Sequence, residues 1–175
     1  FTTRDGYLYA VRTEGTLVFR TRIGPSTSSP AVGSGIVYAA SGVLGTGGNV
    51  AAFDLQGDPR WSFTPNGPVQ SSLTLAGDRL VFATNTEAGT VYALDAPTGD
   101  LVWTYVPEPQ QHILPTPVVI DGLVIVASDS GFVYALGAAG PSLVGPETLA
   151  AAVVLIAAVV LAVVIFLYVR RLRAT

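Results

Sequence analysis

Gly89-Thr90-Val91-Tyr92-Ala93-Leu94-Asp95-Ala96-Pro97-Thr98-Gly99-Asp100-Leu101-Val102-Trp103 is a strand, a tight turn and the start of a second strand. β-Branched and aromatic residues at both ends favour a pleated conformation. Between them Pro97 presets φ for the first corner of a turn, and Gly99 can take positive φ before the chain reverses. Leu101-Val102-Trp103-Thr104-Tyr105 then alternates with the period of two expected of a half-buried strand.

The opening of this stretch recurs. Gly6-Tyr7-Leu8-Tyr9-Ala10-Val11, Gly48-Asn49-Val50-Ala51-Ala52-Phe53 and Gly131-Phe132-Val133-Tyr134-Ala135-Leu136 match it, and the four glycines are 42, 41 and 42 residues apart. Phe19, Trp61 and Trp103 keep step at intervals of 42 and 42. A third marker is an apolar pair, Ile36-Val37, Leu80-Val81 and Leu123-Val124, behind the turn residues Gly33-Ser34-Gly35, Gly77-Asp78 and Asp121-Gly122. Four short strands in such a repeat is the size of one propeller blade. The fold class is therefore all-β, a partial β-propeller of four-stranded antiparallel blades, with three to four blades in residues 1–136. Ala10, Ala52, Ala93 and Ala135 read as the small residue needed where neighbouring sheets converge. The rings of Phe19, Trp61 and Trp103 read as the filler of the wedge between blades. Asp54 and Asp95 occupy one repeat position, which suits turn hydrogen bonds better than chemistry.

These residues carry a family likeness. Ala93-Leu94-Asp95, Thr98-Gly99 and Trp103 resemble the alanine–x–aspartate, threonine–glycine, tryptophan repeat of the PQQ-type propellers, which include quinoprotein alcohol dehydrogenases and BamB-like assembly proteins. The second unit keeps Ala52, Asp54, Gly57 and Trp61. In the first, Arg12 stands for the aspartate and Phe19 for the tryptophan. In the last, Gly137 stands for the aspartate and the outer strand gives way to a linker. The resemblance implies the fold; it does not choose between enzyme and scaffold. A ring of this type takes seven or eight blades, so several blades and a cleaved export signal are expected upstream of Phe1, which aligns with mid-strand Val126. The alternative is a short protein whose open edges a partner covers.

From Leu149 to Val169 the chain has 21 residues with no charged or amide side chain, no Gly and no Pro. At about 1.5 Å per residue this matches a bilayer core of roughly 30 Å. Arg170, Arg171 and Arg173 follow it, and Glu147 precedes it. The expectation is a single-pass anchor in the plasma (inner) membrane, with the C-terminus cytoplasmic and the propeller outside. The division that follows is propeller repeats in 1–136, a Gly/Pro linker in 137–148, a transmembrane helix in 149–169 and a basic tail in 170–175.

Composition removes several functions. Twelve carboxylates in the chain outnumber the six arginines before Glu147, so no basic patch suits nucleic acid. Cysteine is absent and His112 is the single histidine, which excludes thiolate and His-rich metal ligation. In its loop, His112 reads as solvated. The expected catalytic, cofactor and metal residues are none. A PQQ cofactor is expected only if upstream blades complete a ring. The function this favours is a non-catalytic docking scaffold, an accessory subunit whose partners are the protein subunits of a membrane complex and the bilayer. The alternatives are the C-terminal part of a membrane-bound quinoprotein dehydrogenase, and a surface sensor or carbohydrate-binding module.

Overall fold

The computed structural model describes residues 1–137, all strand, turn and coil. The linker, span and tail expected in 138–175, with Arg170, Arg171 and Arg173, lie outside the described residues. Among the described residues no helix is long and apolar enough to cross a membrane.

Among the described residues thirteen strands form four antiparallel sheets in chain order. Blade I holds β1 (Tyr7–Val11) and β2 (Leu17–Arg22). Blade II holds β3 (Ala31–Gly33), β4 (Ile36–Ser41), β5 (Asn49–Phe53) and β6 (Pro59–Phe63). Blade III holds β7 (Thr74–Ala76), β8 (Arg79–Ala83), β9 (Val91–Asp95) and β10 (Leu101–Tyr105). Blade IV holds β11 (Val118–Ile120), β12 (Leu123–Ala127) and β13 (Val133–Gly137). Within each blade every strand pairs with the next in sequence, and β3, β7 and β11 lie side by side as the inner strands of successive blades. Thr2 bridges Leu8, so Phe1–Thr2 run where Ala39–Ala40 run in the next blade.

The middle strands show why blades need neighbours. Every residue of β4 is buried. Alternate side chains serve opposite faces. Val37 and Ala39 pack with Leu8 and Phe53 toward blade I, while Ile36, Tyr38 and Ala40 pack with Leu80 and Phe82 of blade III. In β8 the same division sends Val81 and Ala83 to Val124 and Val126 of blade IV. The unbroken apolar runs are thus strands covered on both faces, which no isolated blade could bury.

Register corrects one sequence marker. Val32 faces Val37, Leu75 faces Leu80 and Val119 faces Val124 across two-residue hairpins. Leu80 therefore corresponds to Val37, not Ile36, and Arg79 takes the place of Ile36. A one-residue slip exchanges the two faces of a strand, and an apolar pair buried on both faces hides that slip. The turns carry the matching chemistry. Ser34-Gly35 and Asp121-Gly122 both have positive φ, whereas Gly77 alone does so in its turn.

The alternation expected of 101–105 is interrupted. Ala10 pairs with Phe19, Ala52 with Trp61 and Ala93 with Trp103, and in each hairpin the outer strand then slips by one residue. Val18, Arg60 and Val102 are the bulged residues, and all three are exposed. The bulge also turns Leu101 outward, 51 % exposed, off the face that Trp103 uses.

The outer aromatic locks blade I to blade II and blade II to blade III. A Cβ built on Gly57 would lie 2.7 Å from the Phe19 ring, and one built on Gly99 would lie 2.6 Å from the Trp61 indole. Trp61 Nε1 also donates to the Ala96 carbonyl at 3.0 Å. Gly15 holds the same turn position in blade I, and no atom comes within 4 Å of a Cβ built there. These glycines share a φ of +80 to +91°. Gly15→Ala should therefore cost only the backbone strain of about 1–2 kcal/mol. Gly99→Ala should add an overpacking penalty of about 1–3 kcal/mol against the indole. Urea unfolding of the two variants measures the difference, and equal losses would show that the ring contact carries no weight.

Candidate functional site

The strands end in two sets of loops. One end carries the tight turns, and there the recurring aspartates act as turn staples. Asp54 Oδ1 accepts from the amides of Gln56 and Asp58, both at 2.9 Å. Asp95 Oδ1 accepts from the Thr98 amide at 3.2 Å and its hydroxyl at 3.1 Å, while Oδ2 meets Arg79 Nη1 at 3.1 Å. The amide of Asp58 is the main cause of a pKa for Asp54 below the usual 3.8. Gly99, at a φ of +80°, completes the second turn.

The other end carries the hairpin loops β4–β5, β8–β9 and β12–β13 and the crossovers from each outer strand to the next inner strand. Gly6, Gly48 and Gly89 sit where a crossover passes. A Cβ on Gly6 would lie 3.2 Å from the carbonyl carbon of Gly24, on Gly48 2.1 Å from the Gly67 oxygen, and on Gly89 2.5 Å from the Gln111 oxygen. Gly131 differs, with no atom within 4 Å of such a Cβ. Ala52 and Ala93 are fully buried, whereas Ala10 in the first blade is half-buried and Ala135 in the last is exposed.

A second repeated contact, with no side chain in it, stitches this face. The amides of Gly42, Asn85 and Asp129 donate to the carbonyls of Pro25, Pro68 and His112 at 2.8, 3.0 and 3.2 Å. Each donor lies 17 residues after its acceptor. Hydroxyls continue the pattern inward: the Ser29 amide donates to Ser72 Oγ at 3.1 Å, and the Ser72 amide to Thr116 Oγ1 at 3.0 Å. The serine and threonine residues at 29, 72 and 116 were legible as a spacing of 43 and 44, but the sequence reading missed them because such residues are ordinary in loops.

His112 is not simply solvated. It is half-buried, and Nδ1 lies 2.9 Å from Asn85 Oδ1, while Asn85 Nδ2 donates to Gln70 Oε1 at 2.7 Å. A crossover between blades III and IV thereby rests on the β8–β9 loop of blade III. Beside it opens a cleft of about 450 Å3, lined by Leu44 and Gly47 of the β4–β5 loop, Pro65 and Pro68 of the crossover, and Glu87 and His112. Asn66 braces its wall, accepting from Thr84 Oγ1 at 2.7 Å and donating to Thr90 Oγ1 at 2.8 Å. Asp129-Ser130-Gly131 forms a plain hairpin turn, with the Gly131 amide bonded to the Ser128 carbonyl at 3.1 Å.

Among the described residues no three His, Asp or Glu side chains converge as a metal site. The cleft also does not fit an anionic quinone. PQQ carries carboxylate groups, and the one formally charged lining side chain is the carboxylate of Glu87, with no arginine or lysine opposite it.

Comparison with known proteins now has a geometry to meet. A family model described as outer membrane protein assembly factor BamB matches residues 4–154. No curated protein matches the chain in sequence. The solved structure of BamB from Moraxella catarrhalis is 20% identical, with a TM-score of 0.62 over 78% of this chain and 40% of that one. The computationally designed Ika4 protein is 17% identical, with a TM-score of 0.64 over 77% and 81%. The quinohemoprotein alcohol dehydrogenase of Comamonas testosteroni is 19% identical, with a TM-score of 0.63 over 76% and 31%. At these identities the likeness is one of fold. The chain spans 40% of the length of the Moraxella protein and less than a third of the Comamonas enzyme.

The Asp54 turn gives a pH test. Its carboxylate has a depressed pKa in the folded state, so its contribution is present above the ordinary value of 3.8 and is lost as pH falls through the folded value. Carbon-detected titration should place the Asp54 carboxyl below 3.8. Stability of Asp54→Asn should fall less steeply than wild type below about pH 5. A midpoint at or above the ordinary value would contradict the staple.

Proposed function

This chain belongs to the propeller family described as outer membrane protein assembly factor BamB, and from that membership we propose that it is a non-catalytic docking scaffold, an accessory subunit of a membrane protein complex. The observation that carries the reading is the loop face. Three crossovers are fixed by the same backbone hydrogen bond, and His112, Asn85 and Gln70 tie two of those crossovers to the β8–β9 loop. Loops held in advance lose little entropy when a partner binds. Rigid scaffolds that present loops are the usual platform for recognition.

The location follows from the apolar run Leu149–Val169 and the arginines after it. On this reading the propeller lies outside the cytoplasm, close to the bilayer, tethered by the Gly/Pro segment 137–148. The partners are then membrane subunits that expose a segment on the same side.

A second reading, the C-terminal part of a membrane-bound quinoprotein dehydrogenase, is favoured by the fold likeness to the Comamonas enzyme. Its catalytic residues would lie outside this chain. Purification of the full reading frame in mild detergent separates the two readings. The scaffold reading expects a complex larger than the chain, with defined partner subunits and no quinone absorbance. A partnerless monomer, or a stoichiometric bound quinone, would contradict it.

A further inference from the structure

We propose that the cleft between blades II and III is the docking groove for an extended segment of a partner protein, entered by a lysine or arginine side chain. The inference rests on the docking reading and specifies its surface and partner chemistry.

Charge gives the first argument. The hairpin loops and crossovers of blades II to IV hold three carboxylates, Glu87, Glu108 and Asp129, and no arginine or lysine. Arg60 and Arg79 lie at the opposite ends of their strands, among Asp54, Asp58, Asp78 and Asp95. The loop end of blades II to IV is therefore acidic and holds no cation of its own, Arg4 and Arg22 standing at that end of blade I, while the turn end sets arginines among its carboxylates. A cation approaching the cleft meets attraction with no competing internal cation, and an anion meets repulsion.

Shape and lining give the second. Leu44, 74 % exposed, forms one lip, and Pro65 and Pro68 lie within. Apolar walls leading to the carboxylate of Glu87 match a side chain with an aliphatic stem and a charged head. At about 450 Å3 the space lies within the range of ligand clefts, roughly 300–1,000 Å3. It opens directly to solvent at the lip residues Leu44 and Glu87, both exposed. Such an open groove buries one inserted side chain of a passing strand better than a whole small molecule. His112 adds an orienting group. With Nδ1 engaged by Asn85 Oδ1, the neutral ring carries its proton there and leaves Nε2 as an acceptor for a peptide N–H.

The β4–β5 loop supplies a clean way to close the groove. Gly47 lines it, has no left-handed φ, and has no atom within 4 Å of an added Cβ. Gly47→Leu should fill the cleft without straining the fold. Glu87→Gln removes the charge and keeps the shape.

The test uses the full chain in non-ionic detergent and two fluorescein-labelled, end-blocked octapeptides, one alternating lysine with serine and the other glutamate with serine. Anisotropy should show the lysine peptide binding tighter by about fivefold or more, the factor one unit-charge contact at roughly 4 Å supplies in water. Glu87→Gln should remove most of that preference. Gly47→Leu should weaken the lysine peptide to a similar extent with an unchanged melting temperature, and molar salt should abolish the preference. Equal binding of both peptides, or binding indifferent to both substitutions, would overturn the assignment. Failure of the wider reading looks different: a full chain that binds the lysine peptide as described yet has no partner subunit keeps the groove and loses the scaffold. Partner subunits that still co-purify with both variants keep the scaffold and lose the groove.

Discussion

The contact on which the rest of this structure depends is an aromatic ring laid on a glycine of the neighbouring blade. Trp61 covers Gly99 and bonds the Ala96 carbonyl, and Phe19 covers Gly57. Directly across the strand pair from each ring stands an alanine. The large and the small residue are one device: alanine leaves room for the ring to lie flat on its own sheet, and glycine lets the next sheet come down on it. A larger residue at either place would separate blades whose middle strands have no other cover. At the loop end, Gly48 and Gly89 admit the crossover in the same way. Blades II and III each have two such close approaches, one at each end of the strands, which fix spacing and tilt together.

This explains what was legible in the sequence. Gly89, Ala93, Gly99 and Trp103 mark close approaches that only one or two residue types satisfy, so they recur and can be counted. The bulge does not. Its extra residue is Val18, Arg60 or Val102, chemically unrelated and pointing at water, so nothing selects its type and strict alternation looked intact. The slip at Leu80 was hidden for the opposite reason, because both faces of β8 are apolar and either register satisfies composition. The backbone bonds from Gly42, Asn85 and Asp129 involve no side chain at all. His112 read as a solvated loop residue because its partner, Asn85, is 27 residues distant in another loop.

The two ends of the strands divide the chemistry as well as the packing. At the turn end, carboxylates are spent on their own backbone amides and on Arg79. At the loop end, hydrogen bonds are made by amides, hydroxyls and the His112–Asn85–Gln70 chain, so Glu87 has no described cationic partner in its cleft. Turn-end charge thus stabilises the blades, and loop-end charge carries no such duty, which is what the proposed docking groove draws on. A fold shared with both an assembly factor and an alcohol dehydrogenase is compatible with this, because the interlocks between blades are separate from the loops at the other end of the strands.

The interlock can be read directly from exchange of the Trp61 indole proton in the full chain. The account requires that this proton, bonded at 3.0 Å to Ala96, exchange only when blades II and III separate, with protection comparable to the amides of β5 and β9. Exchange at the rate of a free indole, while those amides stay protected, would mean that the blades are held by something other than the ring and its glycine.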